Sequence, residues 1–445
     1  MRRVINMKYI YSIIILLLGL YNYQYGMNSI IYLISNLIFL ILIFFSNKNK
    51  SITFRLIELL IVSWPISWIN IFGTNTSELQ LPWYYIIGLL LVLFIIIQKK
   101  ISYKIKGKKL IIMNYIFLLL YSVIPLIICN NFTNGLGDYI MLMFFLIIMF
   151  VSHFSSSYIT KEETEELRKM FIFINFICAI GIIFQYVMFK NYGQTFFKLG
   201  RSGSFSGYQI SCSLLFEDTS CSTIMLGCGF IYAVMSTKNK KINYIFAIVI
   251  LIGLALTSRR TSVISLVIIL IPILLNTGKG IIKKLGLIII SPLIILTALY
   301  FLNLSRPVDN VSQYTQNNGR FIDYISGIDV AIHNPIGIGY GDTYLASKMN
   351  SGIIPHNTIL RWIDQGGVFL AIPLILIFID ILLIAKNKKM TLEFWNLIYV
   401  FLASNFIPDI LNSRFLIIIF TIVLLYEKGE IKYESKTHNI HTNIQ

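Results

Sequence analysis

The sequence predicts an all-α, polytopic integral membrane protein with about fourteen transmembrane helices and two long extracytoplasmic loops. Three observations carry this. Of the 445 residues, 56% are hydrophobic and only 13% are charged, with a mean hydropathy of +0.75; a soluble domain carries about 25% charge. Apolar runs of roughly 17–20 residues recur along nearly the whole chain, each able to span a hydrocarbon core of about 30 Å. The basic residues are gathered into short clusters between these runs.

The spans are read at 9–26, 29–46, 52–73, 82–98, 110–129, 138–154, 170–189, 219–236, 242–257, 261–276, 285–302, 358–385, 391–408 and 413–426. Backbone groups in hydrocarbon have no water to bond, so each run is helical. The first run follows Arg2, Arg3 and Lys8 and has no small-residue cleavage site, so it reads as a span and not a signal peptide. With the N-terminus inside, 26 of the 37 Lys and Arg residues fall in inner segments and about ten outside. No other phase of the alternation gives this asymmetry, so both termini are expected in the cytoplasm. The chain then divides into N-terminal spans (1–189), an outer loop (190–218), spans (219–302), a large outer loop (303–357), C-terminal spans (358–426) and a cytoplasmic tail (427–445).

The formal net charge is +17. In this setting it reflects membrane orientation, and no nucleic-acid partner is expected. Cys129, Cys178 and Cys228 read as core residues, while Cys212 and Cys221 lie near one outer loop, where a disulfide is the minority reading. Two long loops on one face suggest that the protein works on that face. In the larger loop, Phe321, Ile325, Ile328 and Ile332 recur at helical spacing between Gly319 and Asn334, with Pro335 following. This predicts a short amphipathic helix at the membrane surface. Gly337, Gly339 and Gly341 then read as a flexible turn, not a dinucleotide fingerprint, because they follow a helix and not a strand.

The sequence shows no Asp-x-Asp pair, no His or Cys cluster with metal-ligand spacing and no glycine-rich loop with a phosphate-binding Lys. No cofactor or metal is expected. Attention passes to the few cations on the outer face, among them Arg361 and Arg414 near span ends. Any one of them reads equally well as a solvated or snorkelling side chain. Five polar residues stand out. Arg201 sits in the Gly/Ser-rich stretch Gly-Arg-Ser-Gly-Ser-Phe, where backbone can approach a ligand closely. Arg259 and Arg260 occupy a tight turn between spans, at the level of a lipid phosphate. Arg320 opens the amphipathic helix, where a cation opposes the helix dipole. His356 lies in Pro-His-Asn, immediately before a span. A His near its ordinary pKa suits a general base, and Arg suits a diphosphate.

These residues resemble the O-antigen polymerase and ligase superfamily of bacterial membrane glycosyltransferases. Four pieces carry the resemblance: residues 200–205, Thr-Ser-Arg-Arg-Thr-Ser at 257–262, the stretch 319–341, and Pro-His-Asn at 355–357 with Gly366-Gly367 ten residues on. Together they cover about residues 195–380. One departure is Ser206-Gly207-Tyr208, where the family often has Pro-Asn. The resemblance implies transfer of a glycan from undecaprenyl diphosphate to an acceptor hydroxyl on the outer face of the bacterial cytoplasmic membrane. The expected enzyme is an inverting, metal-independent polymerase of oligosaccharide repeat units, making capsule or O-antigen. His356 would be its base, with Arg201, Arg320, Arg259 and Arg260 on the diphosphate. Membrane lipids, the pathway's flippase and a chain-length regulator are the implied partners.

Two rival readings remain. A ligase or oligosaccharyltransferase has the same site chemistry. A transporter or flippase for the lipid-linked glycan suits the span count, but it needs ionisable residues within the membrane. Here the spans hold few candidates, among them Glu58, three residues from Arg55 and able to pair with it, and Asp380 near an inner end.

Overall fold

The computed structural model describes residues 7–74, 81–98, 109–156, 158–197, 199–200, 210–216, 219–236, 240–277, 296, 299–300, 303–304, 320–349 and 352–427. The predicted span at 285–302 and the cytoplasmic tail lie almost wholly outside these residues. The described chain is helical: α1 Met7–Tyr25, α2 Ser29–Ser46, α3 Ile52–Ser63, α4 Trp83–Ile97, α5 Lys109–Tyr121, α6 Val123–Ile127, α7 Phe132–Phe154 and α8 Lys161–Tyr192. After a two-stranded ribbon, β1 Leu199–Gly200 with β2 Ser211–Cys212, come α9 Thr219–Met235, α10 Lys240–Leu256 and α11 Arg260–Thr277. The large outer loop contributes α12 Arg320–His333 and α13 Asp342–Lys348. The chain closes with α14 Thr358–Asn387, α15 Thr391–Ser404 and α16 Leu416–Leu425.

Among the described residues, five helices are long and apolar enough to cross a bilayer: α2, α5 with α6, α7, α8 and α14. Five shorter apolar helices are α4, α9, the Arg260–Ile273 part of α11, α15 and α16. The protein is therefore multi-pass. The predicted span at 52–73 is helical only to Ser63, then passes through a 3-10 turn at Trp64–Ile66 into buried irregular chain. Pro65 lacks an N–H and breaks the ladder. Such chain persists at membrane depth only where protein groups bond it. Here Asn22 Nδ2 donates to Gly73 O at 2.9 Å, and the Leu81 amide donates to Asn70 Oδ1 at 2.9 Å. The Ser67 carbonyl accepts from Arg414, whose guanidinium stacks 4.2 Å from the Trp68 ring and 5.2 Å from Tyr85.

One face gathers the segments that the charge asymmetry assigns to the inside. Lys8 Nζ lies 2.8 Å from Glu58, Lys50 Nζ lies 2.9 Å from Glu166, and the Ser51 amide donates to Glu163 at 2.8 Å. The Glu166 carboxylate raises the Lys50 ammonium above its usual pKa. Arg168 grips the buried Glu393 at the start of α15 with two bonds, of 2.7 and 2.6 Å. Ile159 bonds to both Leu425 and Glu427, while Lys388 donates to the last carbonyls of α16. The Arg55–Glu58 pair that the spacing allows does not form. Glu58 turns to Lys8 and Asn47, and Arg55 donates to the carbonyls of Lys48 and Lys50. Asp380 pairs with His153 at 3.4 Å. None of the five cysteines is in a disulfide, so Cys212 and Cys221, both buried, are not joined.

The amphipathic helix forms within one residue of its predicted ends, as α12, but faces the opposite way from a helix on a soluble core. Asp323, Ser326 and Val330 are buried; the helix packs on α14, and Val330 clusters with Leu345 and Met349 at α13. Ile322, Ile325, Ile328 and Ile332 are at least half exposed. Beyond it, the glycine run is buried, not the flexible turn that its composition suggests. The Ile338 amide donates to Asp364 O at 2.9 Å and the Gly339 amide to Gln365 O at 3.0 Å, so the run docks on α14 as an extra strand would. At that level α14 is broken: Gly367 has φ +67° and ψ −174°, accessible only to glycine, and a side chain there would strike the Pro335 carbonyl. Gly367→Ala is therefore expected to cost about 1–3 kcal/mol from backbone conformation alone. A thermal-shift measurement in detergent should show a clear fall in Tm, and an unchanged Tm would contradict this account of the break.

Candidate functional site

The site is built where the N-terminal end of α14 meets four other segments. Asn357 caps α14, its Oδ1 accepting from the Leu360 amide at 3.0 Å. His356 stands just before this cap, half-buried. The Tyr324 hydroxyl of α12 lies 3.0 Å from the carbonyl oxygens of both His356 and Asn405. Thr358 Oγ1 donates to Ile407 O and accepts from the Ile410 amide, both at 3.1 Å. The backbone of His356 is thus fixed between α12 and the chain that links α15 to α16.

One turn further along α14, Arg361 is 2% exposed and makes three ion pairs. Its guanidinium reaches Asp409 at 2.5 Å, Asp342 at 2.7 Å and Asp138 at 3.3 Å. Gln365 Nε2 adds a bond to Asp138 at 3.2 Å. The Gly341 amide donates to Asp138 at 3.2 Å, and the Tyr340 amide donates to Pro125 O at 3.2 Å. Burial, and then the nearby Asp138 carboxylate, push the Tyr340 phenol above its ordinary pKa. A cavity of about 20 Å³ is lined by Asp138, Tyr340, Arg361, Gln365 and Asp409, room for about one water. Among the described residues, no group of His, Cys, Asp or Glu is disposed to hold a metal ion.

A second group forms around the Thr-Ser-Arg-Arg-Thr-Ser turn. Thr257 Oγ1 lies 2.6 Å from Thr223 Oγ1, Ser258 bonds to Ser211, and Arg259 Nε donates to Thr219 Oγ1. Ser211 belongs to β2, whose partner β1 ends at Gly200. The ribbon is therefore tied to the Arg259–Arg260 turn; Arg201 itself lies outside the described residues. Arg260 is half-buried as the first residue of α11. Helix α12 begins at Arg320, whose side chain is outside the described part. Helix α15 packs against α9, α11 and α14, with Tyr399 donating to Ser262 O at 3.4 Å, and so links this group to the one around His356.

Sequence reasoning singles out His356 and the Arg pair but misses Tyr324, Asn405 and the Arg361 cluster. Asp138, Asp342 and Asp409 carry no local signal, because their common partner is 223 residues away from the first of them. The cluster yields a test. Removing the cation strands the buried Asp409 and the part-buried Asp138, whereas the half-exposed Asp342 keeps water, a loss of about 3 kcal/mol. Arg361→Ala should leave little folded protein in membranes, and adding Asp409→Ala should recover part of it. Normal levels of Arg361→Ala would show that the cluster does not hold the outer face together.

No curated protein matches this chain. Residues 245–375 match the family model described as O-antigen ligase, a stretch that runs from α10 through the Arg259–Arg260 turn, α12, the glycine run and His356. That match, over less than a third of the chain, is consistent with the resemblance to the O-antigen polymerase and ligase superfamily.

Proposed function

We propose that the protein is a membrane polysaccharide polymerase. In this reading it joins undecaprenyl-diphosphate-linked oligosaccharide repeat units into a capsule or O-antigen at the outer face of the bacterial cytoplasmic membrane. Both termini then lie in the cytoplasm, as the basic segments clustered on the opposite face favour. The observation that carries the reading is the fixing of His356 by Tyr324 and the capped end of α14, inside the stretch matching the ligase family.

In the reaction, a hydroxyl of the acceptor glycan loses its proton to His356 as its oxygen attacks the anomeric carbon of the donor. The bond from that carbon to the diphosphate oxygen breaks, and undecaprenyl diphosphate leaves with the electron pair. Attack opposite the leaving group inverts the anomeric centre. Negative charge accumulates on the diphosphate, where Arg259 and Arg260, with Arg201 and Arg320, stabilise it in the role that a metal ion fills in other transferases. His356→Ala should abolish polymer at unchanged membrane levels. Full-length polymer from that variant would sink the assignment of the base. Arg259→Ala and Arg260→Ala should each lower turnover about tenfold or more, and a Lys replacement should restore only part of it.

The family description favours a second reading, a ligase that passes the glycan to another acceptor. Product analysis of a deletion strain separates the two. Loss of a polymerase leaves single repeat units at the cell surface, whereas loss of a ligase leaves finished polymer on the lipid carrier.

A further inference from the structure

Helices α12 and α14 meet through side chains poorly suited to each other. Asp364 of α14 is 0% exposed, and neither carboxylate oxygen has a hydrogen-bond partner among the described residues. On α12, Ser326 is 3% exposed and its hydroxyl is also unbonded among them. Its neighbour Gly327 lies against Asp364. A methyl group added there would come within 3.1 Å of Asp364 Oδ2, 3.0 Å of Pro355 Cγ and 2.8 Å of Leu360 Cδ2. The carboxyl group therefore lies against bare backbone, beside the proline that precedes His356.

A carboxylate can only accept hydrogen bonds when ionised, and burying it without donors is costly. The charged group nearest it on α14 is satisfied: Arg361, three residues away, takes its three carboxylates from elsewhere. Nor is the contact sealed by an apolar layer. The isoleucines of α12 point away from α14, and the residues turned inward include Asp323 and Ser326. A helix pair meant only to pack would place Ile325 and Ile328 inward.

We propose that the contact between α12 and α14 is a sugar-binding subsite in its closed state, with Asp364 and Ser326 accepting hydrogen bonds from hydroxyls of the glycan. Sugar hydroxyls are the donors that this contact lacks, and adjacent hydroxyls on a ring match a two-oxygen carboxylate. Gly327 keeps the space beside Asp364 free of side chain. The glycan enters as α12 draws back from α14, and the Tyr324 bonds to the His356 and Asn405 carbonyls re-form as it closes. A sugar held there lies next to Pro355 and so presents a neighbouring hydroxyl toward His356. The subsite rests on the glycan-transfer reading given above.

The test uses purified full-length protein in detergent and the repeat-unit oligosaccharide released by mild acid from the cell's own lipid-linked pool. Binding is followed by thermal shift and by titration. Asp364→Leu is expected to raise the Tm of the free protein, because an unpartnered buried carboxyl is removed. It should also weaken oligosaccharide binding at least tenfold. Ser326→Ala should weaken binding by a smaller factor at unchanged Tm. If Asp364→Leu and wild type bind equally, the subsite is overturned while the glycan reading stands. If Asp364→Leu lowers the Tm and binding falls only in step with unfolding, Asp364 is structural and the proposal fails. If wild-type protein binds no oligosaccharide from the pool, the glycan reading falls, and the subsite with it.

Discussion

The arrangement around the N-terminal end of α14 depends on a single cation. Arg361 draws Asp138 from α7, Asp342 from the start of α13 and Asp409 from the chain before α16 onto one guanidinium. In water such pairs contribute little; in a water-poor interior each partner left alone would cost several kcal/mol. The cluster is therefore strongly cooperative, and its value is specificity of arrangement more than net stability. Fixing Arg361 fixes the first turns of α14, and with them the cap at Asn357 and the backbone of His356. The same cluster holds Gly341 through Asp138 and so sets where the glycine run lies. Five separate segments reach their places by way of one side chain.

The glycine run and the break in α14 are two sides of one solution. Backbone that leaves the helical ladder at this depth needs partners other than water. Gly337 and Gly339 adopt positive φ, which lets the amides of this run reach the carbonyls of Asp364 and Gln365. At Gly337 a side chain would meet the Gln365 carbonyl, and at Gly339 it would meet the Cys129 backbone. The chain therefore makes an irregular, rigid junction instead of a loop, and that junction holds α12 against α14. A soluble loop of the same composition would have no such constraint.

Much of this is legible in the sequence, and the exceptions have physical causes. Apolar runs locate the helices because lipid demands them. The ends of α12 are readable because a proline break is local, and Pro335 follows directly on the helix. Reading 52–73 as one helix fails because hydropathy does not distinguish buried irregular chain from helix; both are apolar, and only the bonds made by Asn70, Asn22 and Arg414 separate them. The pairing open to Arg55 and Glu58 fails because spacing along a helix gives proximity, not preference. Glu58 lies on the buried side, where Lys8 arrives from 50 residues away. The direction of α12 is hidden for a similar reason. A periodic stripe says that two faces differ, but not which of them meets protein.

That last ambiguity bears directly on function. On a soluble enzyme, an apolar stripe facing outward and carboxyls facing inward would be a defect. Beside a bilayer it is the stable orientation, since acyl chains take the isoleucines and the protein takes the polar face. The consequence is that Asp323, Tyr324 and Ser326 of α12 turn toward the protein, while Asp329 and His333 remain exposed. Tyr324 is the clearest instance: from the inward side it reaches the carbonyls of His356 and Asn405 together. A substrate whose tail lies in lipid and whose sugars lie above it would meet both faces of this helix at once. The membrane then adds to the glycine-run junction and the Tyr324 bonds in keeping the polar side of α12 toward His356.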